Sequence, residues 1–317
     1  MAARLLPASA IPADLWKDAN LLQLSPDLVG SYRVVLEATG LFDVALTATA
    51  QGDIGGEGAK DTADHFTRNF SGSCGRVQLA VLDPKQTLGE ASNHFIRTFS
   101  GGKVALLDIP SGSGAGSATV LSAIAHLRKQ SILPRTPLDV WLVAGDKSQA
   151  ALENASRMLD ALEPHLERQA IFIHPKYVVW DMLDAGSTVK LIHAWAKEHA
   201  PHDCREYFTL TANCSGFLQH EGNFKKAEAQ LEQIMAWSGQ LKSTFMWIEP
   251  STNAATHRML PIVASRLWNK VKSFFGHAET TAMPAALQCE AELAHPVKPD
   301  FKHRVNLTLL RLERYGS

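Results

Sequence analysis

The chain has 317 residues, a hydrophobic share of 45%, a charged share of 20% and a formal net charge of -1. That length suits one large domain or two small ones. The balanced charge excludes a strongly basic nucleic-acid footprint, so nucleic acid stays possible as a partner but is not indicated. A local patch of Arg304, Arg311 and Arg314 near the C-terminus is the nearest thing to one. No apolar run approaches the ~20 residues that cross a bilayer, so no membrane partner is expected. Leu5-Leu6 is too short for the core of a signal peptide, and a cytoplasmic location is the default expectation. None of the four cysteines (Cys74, Cys204, Cys214, Cys289) forms a C-x-x-C pair, which predicts buried free thiols and no zinc knuckle.

Residues 1–84 read as a partly helical lead-in that packs on the rest as a cap. Ser25-Pro26-Asp27 is a helix start: a capping hydroxyl, a proline whose missing N–H costs nothing there, and an acid at the positive dipole end. That helix should run to Glu37 and stop at Gly40. Gly52 to Gly58 reads as a flexible loop. His65-Phe-Thr-Arg-Asn-Phe-Ser-Gly72 is echoed by His94-Phe-Ile-Arg-Thr-Phe-Ser-Gly101. The favoured reading is two helix ends with similar packing aromatics; the other is a lead-in that lines a substrate cleft.

A regular pattern begins at residue 103. Lys103–Asp108, Val140–Ala144, Ala170–Ile173, Phe208–Ala212 and Thr244–Glu249 are short apolar runs of strand type. Between them, Ser117–Lys129, the segment capped by Ser148, Thr188–His199 and Asn223–Trp237 have helical spacing, and Ala254–Val271 follows as another helix. Strands alternating with helices predict a mainly parallel sheet covered on both faces. Cys289–Leu293 and Val305–Leu312 have no helix-sized segment between them and should pair antiparallel.

In an open α/β sheet, ligands bind beyond the carboxyl ends of the strands. Here the strands repeatedly end in a polar residue: Asp108, Asp146, Asp181 or Asp184, Asn213 and Glu249. The loop Asp108-Ile-Pro-Ser-Gly-Ser-Gly-Ala-Gly116 lacks the lysine of a phosphate P-loop. It puts serine at the third glycine position of a dinucleotide loop. An acid followed by a tight glycine turn into a helix fits better. His193, His199 and His202 gather with Cys204 near one helix end, where favourable dipole charge explains them better than a metal.

On these residues the chain resembles the class I S-adenosylmethionine-dependent methyltransferases, whose first motif is an apolar strand and then D-x-G-x-G-x-G. Asp108, Gly112 and Gly114 match, and Pro110 replaces the first glycine. Gly145-Asp146-Lys147-Ser148 resembles the acid that ends the second strand, Trp180-Asp181-Met182-Leu183-Asp184 the acid after the third, and Ala212-Asn213-Cys214 the close of the fourth. The resemblance covers about residues 85–314. It implies a three-layer Rossmann-like fold, with a mostly parallel seven-stranded sheet, an antiparallel C-terminal strand, and a methyltransferase-like domain over residues 85–317.

It also implies a cofactor, S-adenosylmethionine, and an unidentified methyl acceptor: RNA, protein or a small molecule. Asp108 would take the ammonium group, and Gly112 and Gly114 would admit the cofactor against bare backbone. Asp146 would accept the ribose hydroxyls, with Lys147 beside it. Asp181 would accept from the adenine amine, with Trp180 or Met182 flanking the ring. Asn213 would sit near the transferring methyl group, and His220 with Glu221 are possible bases by location. The acceptor would enter between the lead-in and the ends of strands four and five. Two other readings stand beside this one. Pro110 motivates a non-catalytic methyltransferase-like module that binds a partner, and the glycine loop motivates a nicotinamide-dependent oxidoreductase. Oligomeric state is not written in the sequence.

Overall fold

The structure is a computed structural model that describes residues 3–49, 58–204, 206–219, 223–238, 242–251, 265, 286–298 and 300–314. Its centre is one sheet of nine strands: β1 (Trp16–Lys17), β2 (Leu21–Leu22), β3 (Gly102–Asp108), β4 (Leu138–Asp146), β5 (Ile171–Val179), β6 (Glu206–Ala212), β7 (Ser243–Glu249), β8 (Leu287–Ala294) and β9 (Lys302–Arg314). Their order is β1-β2-β8-β9-β7-β6-β3-β4-β5. β3 to β7 are mutually parallel, and β9 runs antiparallel to both β7 and β8. The fold is a Rossmann-like α/β arrangement with helices on both faces of the sheet. The count of seven strands is corrected to nine, because the lead-in adds β1 and β2, two-residue strands too short to carry a periodic signal.

The α-helices delimited among the described residues are α1 (Pro26–Ala38), α2 (Phe42–Thr47), α3 (Ala59–Arg68), α4 (Phe70–Leu82), α5 (Ala91–Phe99), α6 (Ala115–Lys129), α7 (Gln149–Glu167), α8 (Ala185–His199), α9 (Ser215–Gln219) and α10 (Asn223–Ser238). Their starts follow local chemistry. The hydroxyls of Ser25 and Ser148 and the carboxylate of Asp184 accept from the amides of Leu28, Ala151 and Ser187, at 3.4, 3.2 and 2.6 Å. The expected strand at Ala170–Ile173 and the run after it are one strand, β5. Pro175 is tolerated inside it because β5 is an edge strand and one row of its amides needs no partner.

Alternation along the strands divides the core in two. Val104, Leu106, Val140, Leu142, Phe208 and Leu210 face one layer with α1 and α4 to α7. Ala105, Leu107, Trp141, Val143, Phe245 and Trp247 face the other, with α8 to α10. Each such leucine or valine contributes about 1.5–3 kcal/mol on burial. A one-residue slip would turn both sets onto the wrong face, so the register is strongly held. The lead-in shares the first core: Tyr32, Phe66 and Phe70 form a ring cluster with centroids 4.8–5.1 Å apart. All four cysteines are free and buried.

The expected flexible loop, apart from Gly58 at its end, lies outside the described residues, as do His220, Glu221 and the expected helix at 254–271 except for residue 265. Among the described residues, no helix is long and apolar enough to cross a membrane. Arg304 is ion-paired with Glu290 and Arg311 with Glu313, so two members of the expected C-terminal basic patch face carboxylates.

Candidate cofactor cleft

The chain passes from β3 to β4 and β5 on one side, then returns to lay β6 and β7 on the other. Such a reversal leaves a crevice at the carboxyl ends of the first and fourth strands of the series. A cavity opens there. Asp108, Pro110, Gly112, Asp146, Lys147, Asp181, Met182 and Asn213 all line it, so the structure brings these predicted site residues together. Gly114 does not line it, and His220 lies outside the described residues.

The loop after β3 is tied to the loop after β4. Ser111 N–H donates to the Gly145 carbonyl at 2.9 Å, and Gly112 N–H donates to Asp146 Oδ2 at 2.8 Å. Gly112 is left-handed (φ +52°), and a Cβ there would meet nothing within 4 Å, so this backbone borders open space. Gly114 is left-handed too (φ +81°), but a Cβ on it would stand 3.1 Å from Cα of Ala155. Its missing side chain serves the packing of α6 on α7. The Ile109–Pro110 peptide is cis, and Pro110 stays at the cavity wall.

The carboxylates differ in their surroundings. Asp108 is fully buried and accepts from Ser117 N–H at 2.9 Å. Burial pushes its pKa up to about 7; the Asp146 charge adds to the rise and the Ser117 bonds oppose it. Asp146 accepts from Gly112 N–H on one oxygen and Ser148 N–H on the other, at 2.8 and 2.9 Å. Burial raises its pKa as well, and those amides pull against it. The Lys147 amide is a third backbone donor to this carboxylate. Asp181 accepts from Leu183 N–H at 2.9 Å and stands 3.4 Å from Lys147 Nζ. Asp184, the other strand-end acid considered, caps α8 and does not line the cavity. Trp180 is buried, with its indole N–H on Thr188 Oγ1 at 3.0 Å.

The opposite wall comes from β6 and the lead-in. Asn213 has a left-handed backbone (φ 60°), and its side-chain oxygen accepts from Arg76 Nε. Beyond it, Glu249 is fully buried at the end of β7. Glu249 accepts from Cys214 N–H, Ser215 N–H and Trp247 Nε1–H at 2.9, 3.0 and 2.6 Å, and Cys214 Sγ lies 3.3 Å away. It thereby fixes the turn into α9.

Thr62, His65, Phe70 and Ser73 from α3 and α4 complete the lining. Sequence reasoning named none of them individually. The echoed motif at 65–72 was the one signal, and its first copy borders the cleft. The second copy packs instead: Phe95 and Phe99 lie 5.3 Å from Phe208, and His94 pairs with Glu313. Burial and the Arg76 charge lower His65 to about 4, so it is neutral at pH 7. Near the other end of the sheet, His202 stacks on Trp141 at 4.3 Å and His199 packs against Trp195 and Tyr207. No metal-ligand cluster occurs among the described residues.

No protein-family model matches this chain, and no curated protein sequence matches it. Among solved structures, it is similar to a Listeria monocytogenes protein assigned provisionally as a class I S-adenosylmethionine-dependent methyltransferase. The identity is 10% and the TM-score 0.33, over 98% of this chain and 85% of that one.

Proposed function

We propose that the chain is an S-adenosylmethionine-dependent methyltransferase, with residues 1–84 as a cap on a catalytic domain of residues 85–317. One observation carries this reading: Asp108, Gly112, Asp146 and Asp181, from the ends of three successive parallel strands, line one cavity. The lining fits the cofactor. The bare Gly112 backbone borders open space, and Asp146, a carboxylate acceptor that lines the cavity, would take ribose hydroxyls. In this reading Asp181 would accept from the adenine amine beside Met182, and Asp108 would balance an ammonium group; all three line the cavity.

When bound, the cofactor supplies an electrophilic methyl group on a sulfonium that is already a good leaving group. The residues of this chain are left to bind, orient and exclude water. Burial of Asp108 makes its charge responsive to a cation, because an approaching ammonium favours ionisation of a carboxyl whose pKa is about 7. Phe70 and Phe217 provide apolar wall, and Asn213 provides a polar group at the end of β6.

Competition between S-adenosylhomocysteine and reduced nicotinamide dinucleotide for the folded chain tests the assignment. Binding of the first alone is expected. Binding of the dinucleotide alone moves the assignment to an oxidoreductase, and binding of neither moves it to a partner-binding module.

A further inference from the structure

Arginine has five N–H donors and no acceptor. The Asn213 atom that faces Arg76 Nε is therefore the amide oxygen; the opposite rotamer would set donor against donor. The contact fixes which end of the amide is free. Nδ2 makes no hydrogen bond among the described residues and is not enclosed, while Asn213 itself lines the cleft. The backbone is held too, since Asn213 N–H donates to the Ile248 carbonyl at 3.0 Å. What this wall offers is a pair of amide hydrogens.

From this geometry we propose that the cleft recognises its methyl acceptor through an oxygen, a carboxylate or other anionic oxygen group, received by Asn213 Nδ2–H, and that Arg76 is the positioning residue that sets this polarity. An amine would present N–H donors to a group that has only donors left. The surrounding charges agree. Arg76 remains cationic at neutral pH, since burial lowers it only to about 10. The carboxylate that faces it, Glu249, is occupied by donors from Cys214, Ser215 and Trp247. His65 and His303 beside Arg76 are kept neutral by burial and by its charge, and burial keeps the Cys74 thiol protonated, so none of the three offsets the Arg76 charge. The carboxylates of the cavity follow β3, β4 and β5, whereas Asn213 follows β6.

The statement that an acceptor binds here rests on the methyltransferase reading, so the test has two arms. Benzoate and benzylamine, similar in size and opposite in hydrogen-bond polarity, are titrated into the full chain with and without S-adenosylhomocysteine. Nitrogen-15 spectra follow the Asn213 side-chain amide. Benzoate should bind at least about tenfold more tightly than benzylamine and shift the Asn213 amide signals. Asn213→Asp keeps a partner for Arg76 but removes the donors, and should abolish the preference. Arg76→Met should move the Asn213 signals and weaken the preference, and Arg76→Lys should restore it. Tighter binding of benzylamine, equal binding, no binding of either probe, or a preference that survives Asn213→Asp overturns the proposal. Benzoate preference without binding of S-adenosylhomocysteine refutes the cofactor reading alone and leaves a carboxylate-binding cleft.

Discussion

Asp108→Asn should stabilise the protein above neutral pH and do progressively less as the pH falls. Asp108 is fully buried, and burial raises its pKa to about 7. In the unfolded chain it returns to about 3.9. Its contribution to stability is therefore complete below about pH 4 and is lost as pH rises through 7, because the folded state holds a proton that the unfolded state has released. Within that window the loss is about 1.36 kcal/mol per pH unit, or about 2.7 kcal/mol from pH 5 to pH 7. Asparagine preserves the volume and an oxygen for Ser117 N–H, but it does not titrate. Urea unfolding of parent and variant at half-unit steps from pH 5 to pH 8 measures the difference, in which the groups that do not couple to Asp108 cancel; Asp146 does couple to it. The advantage of the variant should grow by about 2.7 kcal/mol across the range. A difference that stays flat with pH would refute the claim that burial raises the Asp108 carboxyl.

Three further outcomes follow from the same geometry. Gly114→Ala should cost about 1–3 kcal/mol by thermal melting, because it adds left-handed strain to a 3.1 Å approach to Ala155. Glu249→Gln should destabilise by at least about 2 kcal/mol, because one amide oxygen cannot replace a carboxylate that three N–H groups and a thiol approach. His65, lowered to about 4 by burial, should show no proton-resonance titration between pH 5.5 and 8. Its contribution to stability should fade as pH drops from about 6.5 toward 4.

Much of this architecture was legible in the sequence where local pattern and tertiary role coincide. Apolar runs ending in an acid or amide gave β3, β4, β6 and β7 to within a residue or two, and the lack of a helix-sized segment between Cys289–Leu293 and Val305–Leu312 argued for the antiparallel pair that β8 and β9 form. The Asp108, Asp146 and Asp181 rim was readable for the same reason: each acid sits at or just past the end of a strand. Gly114 was harder to place, since close helix packing and close ligand approach both select glycine, and only the distance to Ala155 separates them. Arg76 carried no local signal, and His65 only the echoed motif at 65–72. They lie on helices of the lead-in, and they reach the cleft only because α3 and α4 pack over the end of the sheet. The Asn213 amide likewise gained its direction from a residue 137 positions away. Polarity set by such long-range pairing has no periodicity to read.

Calorimetric titration of the folded parent with S-adenosylmethionine and S-adenosylhomocysteine, beside Asp146→Ala and Asp181→Ala, tests the central claim most directly. Melting temperatures control for the loop contacts that Asp146 makes with Gly112 and Ser148. Binding by the parent, with a loss of at least about 1.4 kcal/mol in each folded variant, is the predicted result. A well-folded parent that binds neither ligand would contradict the account.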